Sequence, residues 1–157
     1  MGEPELHRQR AIDFFNRCWE LLAEPKSGDR DEALLESAWA SYREWSVVGG
    51  PQEWTVGEWM LARCAGEAGY GALAIDAAIR GHERARSFDA PDWLLASTSE
   101  GVARAFSDAG DHVRADEWAT RAASEIEALT DDDDRVLLRG QLTDTRCRMV
   151  ERESHTA

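Results

Sequence analysis

The chain has 157 residues and a formal net charge of −13, from 31 Asp and Glu against 18 Lys and Arg. That length suits one domain with a real core, and an apolar fraction of 43% with seven Trp argues against a disordered chain. A surface this acidic repels phosphate backbones and anionic lipid, so neither nucleic-acid nor membrane binding is expected.

No apolar run approaches the roughly 20 residues of a membrane span, and the start MGEPELHRQR lacks the apolar stretch of a signal peptide, so a cytoplasmic location is expected. Cys18, Cys64 and Cys147 are odd in number and far apart, which excludes a disulfide framework and a CxxC metal knuckle. β-Branched residues are scarce and never alternate, while Ala, Leu, Glu and Arg dominate, and this composition favours helix over strand. In chain order the predicted helices are about 5–24, 30–46, 52–68, 71–87, 91–109, 111–129 and 132–152. Pro4, Pro51 and Pro91 each precede one of the long helix-compatible stretches, where a fixed φ and a missing N–H are tolerated, and Pro25 sits in the break PKSGD.

An internal repeat organises these helices. Gly28, Gly69 and Gly110 stand 41 residues apart. In the same register come Ala33, Ala74 and Ala115, then Ser37, Ala78 and Ala119, then Ala40, Gly81 and Ala122. The second and third copies also share Ala62 with Ala103, Arg63 with Arg104, Ala68 with Ala109, and Arg80 with Arg121. A period of this size marks stacked supersecondary units. Glycine after a last helical turn adopts the left-handed conformation without a Cβ clash. Small residues five, nine and twelve positions later share one face of the next helix, which allows two antiparallel helices to approach closely. Each repeat therefore reads as a helical hairpin. The last helix reads as a cap, with Leu138, Leu142, Thr145 and Met149 facing the third hairpin and Arg135, Arg139, Arg146, Arg148 and Arg152 mostly outside that stripe.

The third copy, AGDHVRADEWATRA from Ala109 to Ala122, resembles the tetratricopeptide repeat (TPR) family, with the turn glycine followed by the second-helix alanines Ala115 and Ala122. Ala103 and Phe106 match the small and aromatic positions of a TPR first helix; the second copy keeps Leu61, Ala62, Gly69 and Ala74 but has Ala65 where an aromatic is usual. The 41-residue period exceeds the usual TPR length of about 34 by about two helical turns. The resemblance implies an all-α, right-handed stack of three TPR-like antiparallel hairpins, at about 5–46, 52–87 and 91–129, closed by a capping helix at about 132–152 as one domain over 1–157.

TPR-like arrays imply binding of peptides or partner proteins in the groove lined by the first helix of each hairpin. By register that surface holds Phe15, Cys18, Trp19 and Leu22; Val56, Trp59, Arg63, Gly66 and Glu67; and Ser97, Glu100, Arg104, Ser107 and Asp108. Arg63 and Arg104 occupy equivalent places, and two guanidinium forks on one surface could clamp a carboxylate or phosphate. Ordinary i,i+4 salt bridges on solvated faces account for Arg63–Glu67, Glu100–Arg104 and Arg104–Asp108 as well, and are the commoner use of that spacing.

Trp39 and Trp118 read as core, whereas Trp45, Trp54 and Trp59 flank the Gly49-Gly50-Pro51 break and form either packing between hairpins, the commoner outcome, or a pocket wall. His7, His82, His112 and His155 are scattered, with His82 expected on the surface, and no metal or catalytic motif appears. The cysteines read as small buried apolar groups. The Asp131–Asp134 run lacks the spacing of a calcium loop and reads as a helix start. The expected function is a non-enzymatic peptide- or protein-binding module with no cofactor or metal. Its acidity favours a basic partner, the paired arginines favour a local anionic contact within it, and a homodimer stays open. The alternatives are a small-molecule-binding protein with a Trp-lined pocket and an enzyme using Glu58, Glu67 or Glu100 as acid or base.

Overall fold

The computed structural model describes residues 2–156, with side chains for all of these except 153, 155 and 156. Among the described residues the secondary structure is seven helices and no strand: α1 Glu3–Ala23, α2 Gly28–Val48, α3 Pro51–Glu67, α4 Gly71–Arg86, α5 Asp92–Asp108, α6 His112–Glu127 and α7 Asp132–Thr156. Local chemistry explains the boundaries. Ser27 Oγ, Asp111 Oδ1 and Asp131 Oδ1 accept from the backbone N–H of Arg30, Arg114 and Asp134 at 3.1, 3.1 and 2.9 Å, so each caps the helix it precedes. Pro51 opens α3, and Glu53 Oε2 accepts from Gly50 N at 2.9 Å.

α3 and α5 end alike. Gly69 and Gly110 have φ of 87° and 82°, and Tyr70 N and Asp111 N reach back to Ala65 O and Phe106 O at 2.8 and 2.9 Å. This is the left-handed closure that favours glycine, repeated 41 residues on. Gly28 does not follow the pattern: it is already the first residue of α2, behind the Ser27 cap, and α1 ends without a left-handed residue. The small-residue face of the first hairpin is displaced as a result. In α4 and α6 the predicted positions Ala74, Ala78, Gly81, Ala115, Ala119 and Ala122 are all buried. In α2 the buried set is Arg30, Leu34, Ser37, Ala38 and Ser41: Ser37 keeps its predicted place, while Leu34 and Ser41 are buried one position beyond Ala33 and Ala40.

Every helix packs on its chain neighbours, and the odd-numbered helices also touch in sequence: α1 on α3, α3 on α5, α5 on α7. The even-numbered helices have no such direct contacts with one another. The odd helices thus form one continuous layer. The core runs through it from Cys18, Leu21 and Leu34 to Leu61, Val102 and Phe106, and a second cluster joins Ala96, Ala119, Ala122 and Ile126 to Leu138 and Leu142 of α7. The α7 stripe Leu138, Leu142, Thr145 and Met149 is buried as its spacing requires.

Three residues lie elsewhere than expected. Trp39 is 44% exposed, because α2 packs only on α1 and α3 and its outer face meets solvent. Cys147 is exposed on α7 rather than buried. His82 is buried, not on the surface: its Nδ1 lies 3.0 Å from Thr98 Oγ1 and its ring stands edge-on to Trp118 at 4.9 Å. Burial, reinforced by the Arg121 cation, pushes its pKa from the ordinary 6.5 down to about 4.

Two outcomes follow from this frame. Because a Cβ at Gly28, Gly69 or Gly110 would meet no other atom within 4 Å, substitution there tests backbone conformation alone. Gly69→Ala and Gly110→Ala should each cost about 1–2 kcal/mol in urea denaturation, whereas Gly28→Ala should be neutral or slightly stabilising. For His82, the unfolded chain takes up a proton near pH 6.5 that the folded chain refuses until about 4, so stability falls as pH drops through that window. His82→Gln should flatten that part of the melting-temperature profile relative to the parent.

Candidate functional site

The layer of odd helices gathers most of the residues expected to line a binding surface into one connected row. From α1 inward, Phe15 stands edge-on to Trp19 at 6.5 Å, and Trp19 lies 6.0 Å from Trp59 of α3. The Arg63 guanidinium sits over both indoles, 5.0 Å from each ring centre. Trp59 carries Arg104 of α5 over its ring as well, at 5.4 Å. Arg104 in turn grips Glu100 through two hydrogen bonds, its Nε donating at 3.2 Å and its Nη2 also donating. Thr145 of α7 closes the row by donating to Glu100 Oε1 at 2.7 Å. Such stacking of guanidinium on indole is favourable at the face of the ring quadrupole.

Local sequence explains how Trp59 comes to lie there. Its Nε1 donates to Ser97 O at 3.2 Å, across the surface of α5. A Cβ at Gly101 would stand 3.0 Å from Trp59 Cδ1, so only glycine leaves the indole room without a shift. Ser97 therefore contributes its carbonyl; its side chain is buried.

The expected salt-bridge pattern is rearranged. Glu100–Arg104 is indeed an i,i+4 pair, but a buried one: Glu100 is fully enclosed and Arg104 nearly so. Burial pushes the Glu100 carboxyl up, yet the Arg104 and Arg63 cations and the Thr145 hydroxyl together hold it below its ordinary range. Glu67 and Asp108 pair with neither Arg63 nor Arg104 as ion pairs. They form a second cluster at the C-terminal ends of α3 and α5, where Arg30 and Arg148 lie 3.4 and 3.0 Å from Glu67 and Arg152 lies 3.1 Å from Asp108. Burial raises the Asp108 pKa despite these arginines, whereas Glu67, also partly desolvated, is lowered on balance by Arg148 and Arg30.

Arg63 is left over. Five arginines, Arg30, Arg63, Arg104, Arg148 and Arg152, surround the three carboxylates Glu67, Glu100 and Asp108, and among the described residues no carboxylate lies within 4 Å of Arg63. Its Nε is buried without a hydrogen-bond acceptor. Burial, with the Arg104 and Arg148 cations nearby, pushes its pKa down to about 9, so it remains a cation at neutral pH but an under-compensated one.

Sequence reasoning turned Thr145 of α7 toward the third hairpin but missed its contact with Glu100 and set Arg148 and Arg152 outside the packed stripe. Thr145, Arg148 and Arg152 reach inward because α7 occupies the place that α3 and α5 occupy in their repeats; Thr145 stands 41 positions after Arg104, the signal that could have found it. The three tryptophans at the Gly49–Pro51 break do not line one pocket. Trp54 donates to Trp45 O at 3.1 Å, beneath Arg84 and Arg8, while Trp59 belongs to the Arg63 row. The cleft beside Trp45, lined by Ile12, Phe15, Gln52, Glu53 and Val56, measures 180 Å³, below the roughly 300 Å³ usual for a small-molecule site. Glu58 lies on another face, held by Arg84 at 3.0 Å and Arg80 at 3.6 Å, with the Tyr42 hydroxyl donating to it.

No family model, curated protein or solved structure matches the chain. Among the described residues no group of three His, Cys, Asp or Glu side chains could hold a metal ion, and no helix is long and apolar enough to cross a membrane.

Since the Glu100 carboxylate is enclosed, removing its partner leaves a buried charge. Arg104→Met should destabilise the fold by about 3–5 kcal/mol in urea denaturation, and adding Glu100→Gln to that variant should recover much of the loss.

Proposed function

We propose that this protein is a non-enzymatic, TPR-like helical stack that binds a peptide or protein segment through the face of its odd-numbered helices. The left-handed closures at Gly69 and Gly110, one repeat apart, and the continuous layer of odd helices support the TPR-like reading. Phe15, Trp19, Trp59 and Arg63 form the contact surface; Glu100, Arg104 and Ser97 hold it from beneath; Glu67 and Asp108 anchor its other end through α7.

The observation that carries the proposal is Arg63. A guanidinium stacked on two indoles has lost water from its faces and has its plane fixed, so it can meet a planar anion with little further ordering. Every neighbouring arginine already has a carboxylate; among the described residues Arg63 has none. The ligand therefore carries an anionic group, a carboxylate in preference to a polyanion, because the chain as a whole bears −13 and repels dense negative charge. Trp19, 38% exposed, and Phe15 beside it supply apolar contact next to that charge. A partner that is basic overall, with one acidic group directed at Arg63, satisfies both the long-range field and the local site.

The test is selection from a random peptide library on the intact protein, followed by titration of the selected peptides. Arg63→Ala should weaken binding by about ten- to a hundredfold, the loss expected for a charged hydrogen-bonded contact. Arg146→Ala, exposed on the far side of α7, should leave binding unchanged. Circular dichroism melting controls for folding. Affinity indifferent to Arg63 would remove the proposal.

A further inference from the structure

Arginine stacked on indole is a recurrent contact in this chain. Guanidinium groups lie over the rings of Trp19, Trp45, Trp54, Trp59 and Trp118, at 5.0–5.5 Å from the ring centres. Among the described residues Trp39 and Trp93 have no such cover. Trp93 packs against the second core cluster, whereas Trp39 is 44% exposed on the outer face of α2. An aromatic surface of that size left in water is the informative exception in a folded chain.

Trp39 forms one wall of an open groove of 690 Å³ between α2 and the α3–α4 turn. Leu35 and Tyr70 add apolar lining; Asp31, Glu32 and Glu36 supply its charge, and no Lys or Arg side chain lines it. Asp31 is already held by Lys26 and Arg30, at 3.2 and 3.0 Å. Glu32 and Glu36 are exposed and form no ion pair among the described residues. They stand one helical turn apart, where like charges repel, and Leu35 and Trp39 share their face. Tyr70 is out of pattern for its place. Asp111, 41 positions later, caps α6 by accepting from Arg114 N at 3.1 Å. Tyr70 precedes α4 without any side-chain cap, and it is 57% exposed. A serine or aspartate there would stabilise the helix; the tyrosine gives up that contact and adds an aromatic wall to the groove.

We propose that this groove binds an arginine side chain of a basic partner segment, with the guanidinium stacked on the Trp39 indole beside Tyr70 and its charge met by Glu32 and Glu36. The occupant follows from complementarity. The ring face attracts a cation, the two carboxylates lack one, and a net charge of −13 draws basic chains from a distance. A planar guanidinium can stack on the ring while its edge donates to carboxylate oxygens, whereas an ammonium offers only a point charge. The site is separate from the Arg63 surface, because no side chain of that row lines it.

The probe is the peptide acetyl-Gly-Arg-Ala-Arg-Gly-amide, titrated at low salt into the intact nitrogen-15-labelled protein. The indole N–H signal of Trp39, assigned with the Trp39→Phe variant, is followed by NMR. The expected result is a saturable shift centred on Trp39, Tyr70, Glu32 and Glu36 that weakens as salt is added. Trp39→Leu should weaken binding about two- to fivefold, the range of an exposed cation–π contact. The double change Glu32→Gln with Glu36→Gln should weaken it by about the same factor. Asp116→Asn with Glu117→Gln removes the same charge from the exposed face of α6 and should leave affinity unchanged. Tyr70→Ser should raise the melting temperature by capping α4 while weakening the peptide, which separates loss of contact from loss of fold. Arg63→Ala should leave this binding intact, so the two surfaces stand or fall separately. Shifts spread over the acidic surface without a focus at Trp39, equal binding of a peptide with citrulline in place of arginine, or affinity indifferent to Trp39→Leu would each overturn the proposal.

Discussion

Helix α5 is enclosed on all sides, and much of the molecule is arranged around that constraint. It packs against α3, α4, α6 and α7, and every residue from Ala96 to Ser107 is buried. A helix in that position needs small side chains where neighbours approach, which its Ala, Ser and Gly residues provide. It must also satisfy internally any polar group it carries, because water is excluded. Glu100 and Arg104 meet that demand together, and Thr145 supplies the remaining donor from α7. The last helix is thus fixed to the stack by a polar contact as well as by its apolar stripe.

That arrangement passes directly into the candidate site. With Arg104 committed to Glu100 and stacked on one side of the Trp59 row, Arg63 pairs with no carboxylate among the described residues and lies between two indoles. Glu67, one turn along the same helix, is drawn away to Arg30 and Arg148, and Asp108, one turn beyond Arg104, to Arg152. A surplus cation on an otherwise acidic protein is then held, rather than chosen by a flexible side chain. Its aromatic cover on the Trp19 side depends on how α1 meets α3.

The parts of this arrangement that were legible in the sequence are those governed by short-range rules. The left-handed glycines at 69 and 110, the alanine faces of α4 and α6, the aspartate start of α7 and its apolar stripe depend on a few consecutive residues, and each stands where its spacing placed it. Gly28 was misleading because a glycine's identity permits the left-handed turn without requiring it, and the Ser27 cap ends that stretch differently. Pairwise reasoning along α3 and α5 held for Glu100–Arg104 but went astray for Arg63–Glu67 and Arg104–Asp108. An i,i+4 spacing says that Arg63 and Glu67 could meet, but the nearer claims of Arg30 and Arg148 from other helices decide that they do not.

Sequence alone determined the helical class, the repeat period and the small-residue faces, because 3.6-residue periodicity, glycine conformation and alanine volume act within one or two helical turns. It also placed Phe15, Trp19, Trp59, Arg63, Glu100 and Arg104 on the surface of successive first helices, with Arg63 and Arg104 at equivalent positions. Only the tertiary structure decided which of these are solvent-facing and which are enclosed. It buried Glu100, Arg104 and His82, exposed Trp39 and Cys147, and brought α7 arginines to Glu67 and Asp108. Desolvation and charge balance depend on every element packed around a group, and no local pattern along the chain carries that sum.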